Sequence, residues 1–218
     1  MLPRFLSETT IMVAGTSVAI WEARQGFNFY FAKVKMMRGI LFTEYLDFAA
    51  SLTSEADIEK ILFDLRDKIN GSYTSVGNYS FEEFAHIHVA LSEHLKRDPN
   101  DIAEQFGKVL LHRFAELFPQ YFEGVTSGLD FLDQVGSHIH VEVKKLYPDA
   151  RPPEIILTEG KDGKYQLTYR SQRPLAAVAR GLTSACLAYF KNAHKIISET
   201  SHQTHDGNHT IFEIQIPV

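Results

Sequence analysis

A phenol, a hydroxyl and a guanidinium stand two residues apart in Tyr169-Arg170-Ser171-Gln172-Arg173. Alternate side chains of an extended segment share a face, so Tyr169, Ser171 and Arg173 project together over about 13 Å of strand. Such a ladder of donors suits carboxylates, because arginine grips a carboxylate through a forked, charge-assisted pair. Taken alone, the same pattern also describes an exposed polar strand face.

Ten histidines and one cysteine, Cys186, are the other candidates for chemistry. A single cysteine excludes an intrachain disulfide framework and any cysteine-rich zinc or iron–sulfur centre. His86, His88 and His94 fall on one helical run without sharing a face, and His112 lies on another, so all four read as background. His194 is predicted in the last turn of a helix, where a charged imidazole is favourable without any function. His202, His205 and His209 flank Asp206-Gly207, where a hairpin would splay them, and they read as a solvated turn. His140 differs. It shares the flank of an apolar stripe with Gly136, Val143 and Tyr147, whereas His138 lines up with Gln134, Glu142 and Lys145 on a wetter face. A helix-interior glycine costs on the order of 1 kcal/mol, and Gly136 is expected to clear space beside the His140 imidazole. On this evidence alone a core histidine remains the plainer explanation.

The elements that must position these residues follow from the apolar periods. Ile40, Leu41, Tyr45, Phe48 and Leu52 recur at helical spacing, and Ile58, Ile61, Leu62, Leu65 and Ile69 form one stripe of a second run. Asn70-Gly71 ends that run, and residues 72–80 read as a polar loop. Ser80 with Glu83 has capping-box spacing and opens a helix to about residue 96; Asp98-Pro99 opens another, reaching Pro119. A long helix is predicted over 128–147, closed by Pro148 and the Pro152-Pro153 pair. The period then changes to two. Residues 155–158 and 165–171 pair around Asp162-Gly163, Pro174 opens a helix to about residue 194, and 196–200 pairs with 209–216. The fold class is α+β: an N-terminal helical part followed by a hairpin–helix–hairpin β part.

Charge and hydropathy narrow the partners. With 22 Lys+Arg against 27 Asp+Glu the net charge is −5, and no long basic run appears, so no nucleic acid partner is expected. No stretch reaches the roughly 18–20 apolar residues of a membrane span, so no membrane partner and a cytoplasmic location are expected. Residues 1–36 show no sustained period and read as a loosely ordered N-terminal extension, leaving 37–218 as the domain.

The Tyr-x-Ser-x-Arg ladder, preceded by His140-x-x-Val143-x-x-x-Tyr147-Pro148 and Pro152-Pro153, resembles the H-NOX family (heme–nitric oxide/oxygen binding domains) of the bacterial stand-alone type. Met37-Arg38-Gly39-Ile40-Leu41-Phe42 resembles the family's start, and Phe118-Pro119-x-Tyr121-Phe122 its mid-chain motif. The resemblance covers residues 37–218. It implies that the β part encloses one heme b, with His140 as the proximal iron ligand and Tyr169, Ser171 and Arg173 holding the propionates. Pro153 matches the family's proline that presses on the porphyrin and distorts it. Leu41, Tyr45, Leu110, Leu111, Val178 and Leu182 match the distal pocket. Oxygen-binding members carry a tyrosine where Val178 stands, so the resemblance implies an apolar pocket that disfavours oxygen and leaves nitric oxide well bound. Tyr45 departs from the family pattern; its hydroxyl either faces the iron or, as expected here, reaches sideways to another polar partner.

The function so implied is that of a heme-based gas sensor and not an enzyme. It would bind nitric oxide at ferrous heme and signal, through release of His140, to a separate protein, a histidine kinase or a cyclic-di-GMP enzyme. The alternatives are an oxygen-binding domain or a redox- or zinc-sensing one. Cys186 cannot build the family's cysteine-rich zinc site, although His202 and His205 could supply two ligands. A heme peroxidase would want a distal acid–base group, and the mapped wall is mostly aliphatic. A heme-free interaction module would require the motif set to be vestigial.

Overall fold

Residues 36–216 are described by a computed structural model, and the expected extension over 1–36 lies, but for Met36, outside the described residues. Strand β1 (Met36–Arg38) leads into α1 (Gly39–Leu52) and α2 (Glu55–Asp64). Strand β2 (Asn78–Ser80), α3 (Phe81–Leu95) and α4 (Pro99–Leu117) complete the first half. Side-chain caps open three of these helices: Ser54 accepts from Asp57 N–H, Ser80 from Glu82 N–H, and Asp98 from Asn100 N–H ahead of Pro99. The capping box expected at Ser80 is not made. Glu83 instead accepts from Asn70 N–H at 2.7 Å and from Tyr73 Oη at 2.9 Å, tying the loop before β2 to α3. Within the segment read as loop, β2 pairs antiparallel with β1, Met37 opposite Tyr79. The four helices close on an aromatic core in which Tyr45 meets Phe84 at 4.6 Å and Phe106 edge-on at 5.0 Å between ring centroids.

The long helix predicted over 128–147 is two helices and a wide turn. These are α5 (Gly128–Gln134), one π turn over Val135–Ile139, and α6 (His140–Leu146), which ends before Pro148. Strands β3 (Glu154–Glu159) and β4 (Tyr165–Ser171) form the first hairpin, α7 (Ala176–Tyr189) follows, and β5 (Lys195–Thr204) with β6 (Gly207–Gln215) forms the second. The sheet is antiparallel in the order β3-β4-β6-β5. Its inner face meets α5 and α7 in a second core that includes Leu132, Leu187, Phe212 and Ile214. Helix α7 ends at Tyr189, so His194 lies in the connection to β5 and not in a helical last turn. Helices α4 and α7 touch backbone to backbone. A Cβ on Gly107 would stand 2.2 Å from the Val178 carbonyl oxygen, and one on Gly181 would stand 2.1 Å from that of Glu104. The α+β architecture is the one the periods implied.

Candidate heme site

Burial alternates along the end of β4 and just beyond it: Tyr169, Ser171 and Arg173 are buried while Arg170 and Gln172 face solvent. The ladder therefore points inward. Ser171 Oγ accepts from the Arg173 backbone N–H at 3.0 Å, which fixes the turn out of the strand. Burial pushes the Tyr169 phenol upward, and Ser171 and the Arg173 charge pull it back. The Arg173 guanidinium donates to the main-chain carbonyls of Met36, at 2.7 Å, and Arg151; its Nε is buried with no acceptor. Burial lowers its pKa, and no acidic side chain among the described residues pairs with it. A buried cation held by carbonyls keeps an uncompensated charge, which an anion would offset.

His140 opens α6 directly after the π turn. A Cβ at Gly136 would stand 2.0 Å from the Ile155 carbonyl oxygen, so this glycine exists to let the π turn touch β3. It does not serve to clear space beside the imidazole. Ile155 in turn pairs with Tyr169, so β3 is the single strand between the histidine-bearing segment and the ladder. The ring nitrogen Nδ1 of His140 is buried without a hydrogen-bond partner. Burial lowers the ring pKa to about 4, with the Pro153 backbone opposing and Lys144 assisting. At neutral pH the imidazole is thus uncharged, the form that ligates a metal. Pro153 is half-buried immediately before β3. His138 lies on the wetter face as expected, 3.5 Å from Glu142. A neutral, partly orphaned imidazole and a buried cationic ladder on adjoining elements match the donor set that an iron porphyrin with two propionates needs.

The residues matched to a distal pocket are only partly brought together. Tyr45, Leu110 and Val178 are buried in the first core, and Leu41 and Leu182 pack at its edge. Leu111 turns the other way, into the second core with Leu129 and Phe131. Tyr45 Oη lies 2.6 Å from His88 Nδ1, both groups buried, so the hydroxyl does reach sideways. His88 is thereby a site neighbour that the spacing argument left as background. It stands 43 residues from Tyr45, too far for any periodic signal to join them. A small cavity of about 10 Å³ is bordered by Tyr45, His88, Asn100, Ala103, Phe106 and Val178, among others. A larger cleft, about 410 Å³, opens by the β3–β4 turn between Lys161, Lys164 and Glu213, and none of the residues singled out from the sequence lines it.

The remaining candidates do not assemble into a site among the described residues. His202 faces His209 across the second hairpin while His205 is exposed, and no group of metal-ligating side chains forms among the described residues. Cys186 is buried, its thiol pushed up to about 12, with Sγ donating to the Gly128 carbonyl at 3.5 Å.

A family model described as Haem-NO-binding matches residues 38–198. The fold is similar to the Fe(II) unliganded H-NOX protein from K. algicida, with 25% identity and a TM-score of 0.72, over 84% of this chain and 97% of that one. A mutant of that protein gives 26% identity and the same TM-score and coverage. An oxygen-binding H-NOX domain related to soluble guanylate cyclases shares the fold at 20% identity and a TM-score of 0.70, over 84% of this chain and 96% of that one. No match to a curated protein was found.

Proposed function

Since the chain belongs to the Haem-NO-binding (H-NOX) family of gas-sensor domains, we propose that it is a heme-based sensor of nitric oxide that signals to a separate protein. The observation that carries this reading is the half-buried, uncharged His140 with a buried, unpartnered ring nitrogen, on a segment one strand removed from an inward ladder ending in Arg173. When bound, heme b would supply a ferrous iron able to bind a diatomic gas.

His140 is the side chain that would hold the iron. Tyr169, Ser171 and Arg173 would take the propionates, Arg173 exchanging neutral carbonyl acceptors for carboxylates, which make stronger charge-assisted bonds. Pro153 would press on the ring from beside His140. On the opposite side Leu41, Leu110, Val178 and Leu182 offer no hydrogen-bond donor, and the Tyr45 hydroxyl is engaged by His88. Oxygen, which a distal donor stabilises, is disfavoured there relative to nitric oxide.

His140 letting go of the iron is the proposed signal. The π turn before it is a local break in the α-helical ladder, of a kind frequent at functional sites. Beyond α6, Arg38 stacks 4.0 Å over the Tyr147 ring and Asn78 bonds Asp149, so a shift of α6 reaches β1 and β2. A histidine kinase or a cyclic-di-GMP enzyme is the proposed receiver, by family resemblance, and the cytoplasm the proposed location. Among the described residues no helix is long and apolar enough to cross a membrane. Titrating heme into the heme-free protein tests the reading. Wild type should bind tightly and His140→Ala weakly, with imidazole restoring binding; an alanine variant that binds as tightly as wild type overturns it.

A further inference from the structure

The Tyr45–His88 couple is a polar pair inside the aromatic core, with each residue about 1% exposed. Phe84 and Phe106 wedge the tyrosine ring from two sides. Burying a phenol and an imidazole there is costly unless each satisfies the other. The pair also borders the small cavity that Val178 lines.

The direction of the bond follows from the ring's state. Burial lowers His88 to about 4, so at neutral pH it carries one ring proton. The Pro99 backbone favours a ring proton and Nδ1 faces Tyr45, which puts that proton on Nε2 and makes Nδ1 an acceptor. A phenol has one hydrogen to give, and here it is given to His88. The cavity is about 10 Å³, space for about one water at most, so the hydroxyl has little room to swing while the bond stands.

We propose that His88 is a specificity-determining residue, which keeps oxygen out of the sensor by holding the Tyr45 hydroxyl away from the gas pocket. This rests on the heme-sensor reading above. Without an acceptor at position 88, a buried hydroxyl seeks the next polar partner, and a gas in the adjoining pocket is one. Tyr45 would then supply the donor that Val178 cannot.

The test compares wild type, His88→Leu, Tyr45→Phe and the double variant, each checked for heme content, melting temperature and its spectrum with nitric oxide. His88→Leu should bind oxygen at least about 10-fold more tightly than wild type while still responding to nitric oxide, and the double variant should fall back. Heme-free wild type should show a downfield hydroxyl proton by NMR that both single variants lose. If the leucine variant does not fold, His88→Met removes the acceptor with a more pliable side chain. A folded, heme-loaded His88 variant with unchanged oxygen affinity, or a gain that survives loss of the Tyr45 hydroxyl, overturns the proposal and leaves the heme-sensor reading standing. A wild type that takes up no heme overturns both.

Discussion

Arg173 donates to two main-chain carbonyls and meets no carboxylate among the described residues, while Tyr169 and Ser171 line up behind it. Arg173→Lys keeps the charge and loses the fork, so heme should leave it about 10-fold faster, a change of about 1.4 kcal/mol read by transfer to a heme scavenger. His88 makes a second prediction. Its folded pKa, lowered by burial to about 4, lies below the ordinary value near 6.5. Between those values the unfolded chain binds a proton that the native protein refuses. Its stabilising contribution is full above about pH 6.5 and is lost as pH falls toward 4. At about 1.36 kcal/mol per pH unit, dropping from pH 6.5 to pH 5 should cost on the order of 2 kcal/mol. His140, also lowered to about 4, titrates in the same direction. Urea unfolding of heme-free protein should therefore show a pH slope that becomes shallower in His88→Leu; an unchanged slope would mean His88 takes up its proton in the native state.

Two backbone contacts set the elements, and both depend on glycine. Gly136 seats the π turn against Ile155, and Gly107 seats α4 against the Val178 carbonyl. Gly136→Ala should destabilise the fold by about 1–3 kcal/mol and weaken heme retention, because its Cβ meets backbone that cannot swing aside. Gly107→Ala should lower the melting temperature comparably while disturbing the Val178 side of the pocket. The helices, the hairpins and the shared face of the ladder are legible because each shows a period of 3.6 or 2, whereas the period does not say that the ladder points inward. Strands of three residues, Met36–Arg38 and Asn78–Ser80, are too short for that. The π turn leaves an apolar stripe almost unchanged, so 128–147 reads as one helix. Gly136 announces that something comes close, but its contact is supplied by a strand beyond the next three prolines. Likewise Leu110 and Leu111 look alike in sequence, and only the placement of two separate cores sends them apart. Tyr45 finding His88 is tertiary information throughout.

The described residues form two cores, both bordered by α4 and α7, and polar links cross from one half to the other. Arg173 reaches Met36 and Arg151, Arg38 covers Tyr147, and Asn78 meets Asp149. Arg38 and Asn78 join the β1–β2 pair to the segment just after α6, and Arg173 ties Met36 to Arg151, so these strands are where a movement of His140 should be felt. Nitric oxide should speed amide hydrogen exchange in α6 and in β1–β2 together, and leave the α4–α7 contact protected; faster exchange confined to α6 would disconnect the strands from the signal. The most direct test of the central assignment is the visible spectrum of the ferrous protein under argon, then in air, then with nitric oxide. A heme band that air leaves in place, that nitric oxide shifts, and that His140→Ala lacks is the expected result. Absence of the band from wild type, or an equal band in His140→Ala, would contradict it.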